Sequence, residues 1–222
     1  MGLIAKDKGG SDIAPCPTGM HHAICYGVVD IGTQPAFGKF PSRRKVVILF
    51  EFPELRIDLP DKKDNSRKLN LPRALSIKET LTLASKGNLR PILEGWRGRT
   101  FTEKELNGFD LKNVIGANAL INVVHEVKGD RTFANIATVN PLANGMKKRT
   151  GETPPLYFSF EDIPVGKPIT IPEAMPQWVT GLIMQSDEYI TRSQQAGQPP
   201  RADGGNTAHR QEDAPDEEDV PF

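Results

Sequence analysis

Three features of the 222-residue sequence predict a mainly β fold. β-rich segments recur along the first two thirds of the chain, a hairpin pattern stands out near residue 130, and helical patterns fall between the third and fourth strands. This element order is that of a five-stranded OB-fold, a Greek-key barrel with short helices between strands. The predicted domains are a flexible N-terminus over 1–17, the OB-fold domain over 18–185 with a C-terminal extension from about 143, and a disordered tail over 186–222.

The first two predicted strands flank a loop that carries binding chemistry. Residues 19–31 are rich in β-formers, and residues 45–52 form a second β-rich run. Pro53 is expected to close that second strand, because proline cannot donate to a central ladder. The intervening residues 32–44 mix turn residues with two aromatics and three bases, which predicts an exposed loop.

A polar connection, a short strand and a helix are predicted next. Residues 58–76 are too polar to bury and are expected to form a mobile connection, and residues 76–82 follow as a short strand. Ser85 can cap a helix that runs through Trp96. Pro91 fits the first turn of that helix but would break its interior.

Two clear local patterns complete the predicted barrel. Residues 102–105 match a capping box and open a short helix that Gly108 can end. The strongest β signal is the pair of segments 117–127 and 132–139 around a tight turn at 128–131, which predicts a hairpin.

The predicted extension is basic at first and then apolar. Residues 146–149 carry three bases, and residues 156–160 and 163–184 are rich in apolar side chains. We expect this part to pack on the barrel or on a second subunit, so a homo-oligomer is one possible state.

The formal net charge of zero hides a division along the chain. Residues 187–222 hold nine acids and three bases, so residues 1–186 carry a net charge of +6. Within that part, residues 39–104 carry sixteen bases against eight acids. A basic body with an acidic tail predicts a polyanionic partner.

Cysteine content and hydropathy predict the compartment. Two cysteines are too few for a disulfide framework in a chain this long, which favours a reducing compartment, the cytoplasm. The first residues lack the apolar stretch of a signal peptide, and no run approaches the ~20 apolar residues of a membrane span. We therefore expect no membrane association.

Aromatic residues lie close in sequence to lysines and arginines, as sequence-tolerant binding of single-stranded nucleic acid requires. Bases of the nucleic acid stack on aromatic rings, while cations hold its backbone. The densest instance is residues 95–101, where two aromatics alternate with two arginines. The candidate DNA-binding residues are Tyr26, Phe37, Lys39, Phe40, Arg43, Arg44, Lys45, Arg90, Trp96, Arg97, Arg99 and Phe101.

Some aromatics have a second interpretation. Trp96 lies at helical spacing from two apolar residues and is equally consistent with a core position. Phe37 and Phe40 are expected to be exposed in a Gly/Pro loop, although a loop ring can also fold back onto the barrel. Phe50 and Phe52 share one strand face and are expected in the core.

Neither a metal site nor a catalytic site is predicted. A group of cysteines and histidines could supply four zinc ligands, but their spacing is not that of a finger or a knuckle. These residues are Cys16, His21, His22 and Cys25. No phosphate-binding loop, nucleophile elbow or zinc-protease motif is present, so we predict no enzyme and no cofactor.

The last eleven residues combine six carboxylates with an apolar end. The acids would be attracted to a basic rim on a partner, and the terminal ring and carboxylate could enter a pocket beside an Arg or Lys. The predicted protein-interaction residues are Asp216, Glu217, Glu218, Asp219, Val220, Pro221 and Phe222.

This terminus resembles the acidic tip of bacterial and phage single-stranded DNA-binding proteins. The body, over roughly 20–142, is similar to a phage-encoded OB-fold group in three stretches: 47–51, 93–102 and 109–116. The resemblance implies a protein that coats single-stranded DNA in the bacterial host cytoplasm and recruits replication, recombination or repair proteins through its tip. Two alternatives stay open: a strand-annealing or recombination mediator protein, and an interaction adaptor that binds no DNA.

Overall fold

A curled antiparallel sheet forms the body of the protein. The computed structural model describes residues 13–61, 64, 66–164 and 166–196. The elements are β1 (Gly19–Gln34), β2 (Arg43–Pro60), β3 (Lys68–Thr80), α1 (Leu89–Arg97), α2 (Glu103–Leu106), a 3₁₀ helix (Leu111–Val114), β4 (Asn118–Lys128), β5 (Arg131–Asn140), β6 (Leu156–Phe158), α3 (Gln177–Met184) and α4 (Asp187–Ala196). Within these ranges, no helix has the length and apolar character that crossing a membrane demands.

Five of the strands lie in the order β3-β2-β1-β4-β5 and form an open half-barrel. Every neighbouring pair along this path is antiparallel, whereas β6 pairs in parallel with β1. The helices α1 and α2 and the 3₁₀ helix lie between β3 and β4 in the chain. The mainly β prediction, the first two strands and the β4–β5 hairpin are therefore confirmed.

The sheet has a hydrophobic cluster on each face. On the inner face, Phe50 and Phe52 are fully buried, as predicted, and pack with residues of α1. On the outer face, Val47 and Leu49 are covered by β6 and α3. Burial on both sides explains why β2 has a continuous apolar run instead of an alternating one. The extension thus packs on the barrel, one of the two predicted placements.

The β2–β3 hairpin is longer than predicted. Pro53 does not end β2, because the register shifts between Phe52 and Arg56 and the strand then continues. The mobile connection predicted over 58–76 is wrong for residues 58–60, which belong to β2, and for residues 68–76, which belong to β3. β3 pairs with only one neighbour among the described strands, and an edge strand tolerates a proline such as Pro72.

The capping signal predicted for α2 is correct, whereas the one predicted for α1 is wrong, because Asn88 and not Ser85 precedes the first turn of α1. α1 begins at Leu89, so Pro91 lies in the first turn, where its missing N–H costs no helical hydrogen bond. The Thr102 side chain accepts a hydrogen bond from Glu105 N, and the Glu105 carboxylate accepts one from Thr102 N at 3.0 Å. The predicted capping box is confirmed, and α2 ends at Leu106 with Asn107 as its C-cap, one residue before the predicted glycine.

The prediction of disorder from residue 186 is wrong for residues 187–196, which form α4. Ser186 is buried, and its Oγ accepts a hydrogen bond from Tyr189 N at 3.2 Å. Glu188 accepts hydrogen bonds from Thr33 N at 2.6 Å and from Thr33 Oγ1 at 2.8 Å. The contacts of Glu188 with β1 hold α4 in place, although the polar composition of this segment predicts disorder. The predicted tip and residues 1–12 lie outside the described residues.

Candidate nucleic-acid interface

The loop between β1 and β2 presents two open aromatic rings on a tight turn. Phe37 N donates to Phe40 O at 2.9 Å, and Phe40 N donates to Phe37 O at 3.0 Å. Gly38 has φ +57° at the first central position of this turn, a conformation that glycine adopts without strain. Phe37 is 83% exposed and Phe40 is 64% exposed, so neither ring folds back onto the barrel. We call residues 37–40 the aromatic turn.

Three cations lie in the aromatic turn or follow it closely in the chain. The Lys39 ammonium lies 5.9 Å from the centroid of the Phe40 ring. Arg43 is exposed at the start of β2, and Lys45 follows two residues later. None of these three cations forms an ion pair with another described residue. Their charges are therefore available to a polyanion.

Arg44, in contrast, holds the protein together. Its guanidinium contacts Asp30 at 2.5 Å and Glu161 at 2.8 Å. Hydrogen bonding to Asp30, the largest contribution, raises the pKa of Arg44 above its usual value. Asp30 also accepts a hydrogen bond from Phe160 N at 3.3 Å. Arg44 and Asp30 thus hold the extension against the sheet. Arg44, which the sequence predicts to contact DNA, instead pairs with two acids of the protein itself.

The motif at 95–101 is part of the core. Trp96 is 5% exposed, its ring lies 5.2 Å from that of Phe50, and its Nε1–H donates to Asn118 O at 2.8 Å. Phe101 is buried and meets the ring of Phe109 edge-on at 5.1 Å. The core interpretation of Trp96 is confirmed. The prediction that Trp96 and Phe101 offer stacking faces is contradicted by their burial.

The arginines of this region are matched by nearby acids. Arg97 lies 4.4 Å from the centroid of Phe101 and also pairs with Glu105. Arg99 contacts Glu105 at 2.8 Å, and Arg90 contacts Glu94 at 3.0 Å within α1. The Arg99 hydrogen bond, followed by that from the Thr102 backbone, lowers the pKa of Glu105. This network orders the α1–α2 connection and leaves less free charge than the sequence indicates.

The four possible zinc ligands have other partners. Cys16 and Cys25 are buried in the inner cluster, and burial raises the pKa of Cys25 to about 12. His22 Nε2 lies 2.6 Å from Asn118 Oδ1, and His21 Nε2 lies 3.0 Å from Pro17 O. No three His, Cys, Asp or Glu side chains converge on a metal-sized site in the described part of the chain.

Tyr26 lies away from the aromatic turn, beside a ring that sequence reasoning missed. It is half-buried on the outer face, and desolvation raises its pKa to about 12. Together with Leu49, Ser76 and Trp178 it borders a cavity of about 290 Å³. Trp178 is 49% exposed although its neighbour on α3, Val179, is fully buried. The apolar composition of the extension concealed this difference, because both residues fit a packed helix.

The structure therefore brings five predicted residues together and separates the others. The aromatic turn and the adjoining part of β2 gather Phe37, Lys39, Phe40, Arg43 and Lys45. No match was found when the chain was compared with protein-family models, with curated proteins and with solved structures.

Proposed function

We propose that this protein binds single-stranded DNA without sequence preference. The observation that carries the proposal is the aromatic turn: two open rings on a hydrogen-bonded turn, beside three cations that form no ion pair with another described residue. Exposed aromatic rings of this kind are costly in water and suit the faces of unpaired bases. Cations beside the rings suit the phosphates that join those bases.

The arrangement of the sheet supports an OB-fold as the framework of this site. The strand order β3-β2-β1-β4-β5 and the helical segments between β3 and β4 are those expected of an OB-fold. In that fold, the loop between the first two strands takes part in oligonucleotide binding. The aromatic turn occupies this loop, so the proposed fold and the proposed site agree.

The second half of the proposal concerns recruitment. We infer that the chain is a phage-encoded single-stranded DNA-binding protein acting in replication, recombination or repair in the bacterial host cytoplasm. The tip over 216–222 would dock on partner proteins through its acids and its terminal ring. The support for this half is the sequence of the tip alone.

Paired substitutions in the aromatic turn test the proposed DNA site. Replacing Phe37 or Phe40 with alanine is expected to weaken binding of fluorescent oligo-dT about 5- to 150-fold, the equivalent of ~1–3 kcal/mol per stacked base. Phe133→Ala is the matched control, because Phe133 is 44% exposed on β5 and the β4–β5 turn lies at the opposite end of the sheet. Unchanged affinity in both turn variants would contradict the proposal.

A further inference from the structure

We propose that a strand bound at the aromatic turn and along the outer face of β2 and β3, where an OB-fold binds oligonucleotides, continues to a stacking residue on α3, Trp178. We call this path the outer track, formed by Arg43, Lys45, Lys78 and Trp178. This inference rests on the proposed function and assigns part of the DNA contact to the extension, beyond the barrel itself.

The register between β2 and β3 determines which residues share the outer face. Lys78 lies opposite Val47, and Ser76 lies opposite Leu49. Directly opposite residues of an antiparallel pair point to the same side of the sheet. Val47 and Leu49 belong to the outer cluster beneath α3, so Lys78 and Ser76 face the side on which α3 lies.

The same register places two lysines on the outer face, next to each other along the outer track. Lys45 precedes Val47 by two residues and therefore shares its face. Along the outer face, Lys45 lies between Lys78 and Arg43, and Arg43 begins β2 just after the aromatic turn. Neither Lys45 nor Lys78 has an ion-pair partner within the described ranges.

Three acids lie near these cations. Glu188 on α4 accepts hydrogen bonds from Thr33, which lies opposite Arg44, so its carboxylate offsets part of the charge at the Arg43 end of the outer track. Glu79 lies opposite Val46 and therefore points to the inner face. Glu51 is fully buried, and its carboxylate accepts hydrogen bonds from Glu152 N at 2.7 Å and Thr153 N at 2.9 Å. A phosphate on the outer track would meet Lys78 and Lys45 without an open carboxylate from either of these residues.

Trp178 supplies an aromatic ring at the far end of the outer track. It is 49% exposed on α3, whereas Val179 and Ile183 anchor the helix by complete burial. Its side chain borders the 290 Å³ cavity with Tyr26 and Ser76. That volume is close to the ~300 Å³ at which ligand pockets begin. A base can therefore stack against an indole whose surface is about half open among the described residues.

The dimensions suit a few nucleotides. Four residue steps separate Ser76 from Thr80 along β3, or about 13 Å at the usual rise per residue. Two further steps from Lys45 back to Arg43 add about 7 Å. The outer track is thus ~20 Å long, with an aromatic ring at one end, cations in the middle and the aromatic turn at the other end.

Tryptophan fluorescence tests the far end of the outer track directly. The chain has two tryptophans, and Trp96 is buried. Oligo-dT is therefore expected to quench the emission of Trp178, and Trp178→Phe should lose this quenching while anisotropy shows retained binding. Trp178→Ala should weaken oligo-dT binding about 5- to 150-fold. Undiminished quenching in Trp178→Phe would overturn the assignment of Trp178.

Salt dependence tests the middle of the outer track. Each single-strand phosphate that a cation neutralises contributes about −0.7 to the slope of log affinity against log salt. Lys78→Gln should make that slope less negative by about 0.7. Lys128→Gln is the charge-matched control, because Lys128 lies at the opposite end of the sheet and pairs with Glu126 at 3.0 Å.

Failure of the outer track can be told apart from failure of the proposed function. If the unaltered protein does not bind oligo-dT, both fall. If it binds through Phe37 and Phe40 but Trp178→Ala and Lys78→Gln bind as tightly as the unaltered protein, with the same salt slope, only the outer track is wrong.

Discussion

Replacing Trp96 by alanine is expected to lower the stability of the protein, whereas replacing Phe37 by alanine is expected to lower its affinity for DNA. Trp96 is 5% exposed, packs on Phe50 and donates a hydrogen bond to Asn118 O. Truncating a buried tryptophan costs about 3–5 kcal/mol of the free energy of unfolding. For a chain of this size each kcal/mol lowers Tm by about 2–4 °C, so the expected fall is roughly 6–20 °C.

Phe37 has the opposite environment. Because it is 83% exposed, its removal should change the free energy of unfolding by less than about 0.5 kcal/mol. Its affinity for oligo-dT should nevertheless fall about 5- to 150-fold. Thermal melting followed by circular dichroism measures the first quantity, and fluorescence anisotropy at a temperature where both variants are folded measures the second.

The two assays together can refute this reasoning. A Trp96→Ala variant that melts like the unaltered protein but binds DNA weakly would show that Trp96 stacks on bases. A Phe37→Ala variant that melts many degrees lower with unchanged affinity would show that the aromatic turn is a packing element.

Three further results are expected. Glu51→Gln should lower the free energy of unfolding in urea by about 1.5–3 kcal/mol, because hydrogen bonds to a buried carboxylate are lost or weakened; an unchanged midpoint would contradict this anchor of the extension. Because the pKa of Glu105 is lowered in the folded state, its ionised form stabilises the folded protein above the unfolded-state pKa of about 4.3, and this stabilisation is lost as pH falls through the folded pKa. The Tm difference between Glu105→Gln and the unaltered protein should therefore shrink in acid, and a difference that grows in acid would contradict this expectation. Deleting 212–222 should tighten DNA binding at low salt, since the acids compete for the cations; deleting Phe222 alone should leave DNA affinity unchanged but abolish capture of partner proteins, and equal capture would refute recruitment by the tip.

Patterns that are local in the chain could be predicted from the sequence. The β4–β5 hairpin follows from its own β-rich segments and tight turn, and the Thr102 capping box from a spacing of three residues. The exposed aromatic turn follows from a loop whose glycine and prolines disfavour burial. In each case the deciding interactions lie within a few residues.

Features that depend on distant partners could not be predicted. Arg97 and Arg99 resemble free cations in the sequence, and only the folded chain shows that both meet Glu105. Arg44 is matched by an acid fourteen residues before it and by another far along the chain, Glu161. Trp178 comes beside Ser76 only after the extension has crossed the outer face. Residue types alone do not encode these pairings.

The central claim is that this protein prefers single-stranded DNA and holds it partly by its phosphates. The most direct measurement is an anisotropy titration of the unaltered protein with oligo-dT and with duplex DNA over a range of salt concentrations. We expect tight oligo-dT binding that falls steeply with salt, by about 0.7 in log–log slope for each phosphate neutralised, and much weaker duplex binding. Equal affinity for the two forms of DNA, or an affinity for oligo-dT that does not respond to salt, would contradict the claim.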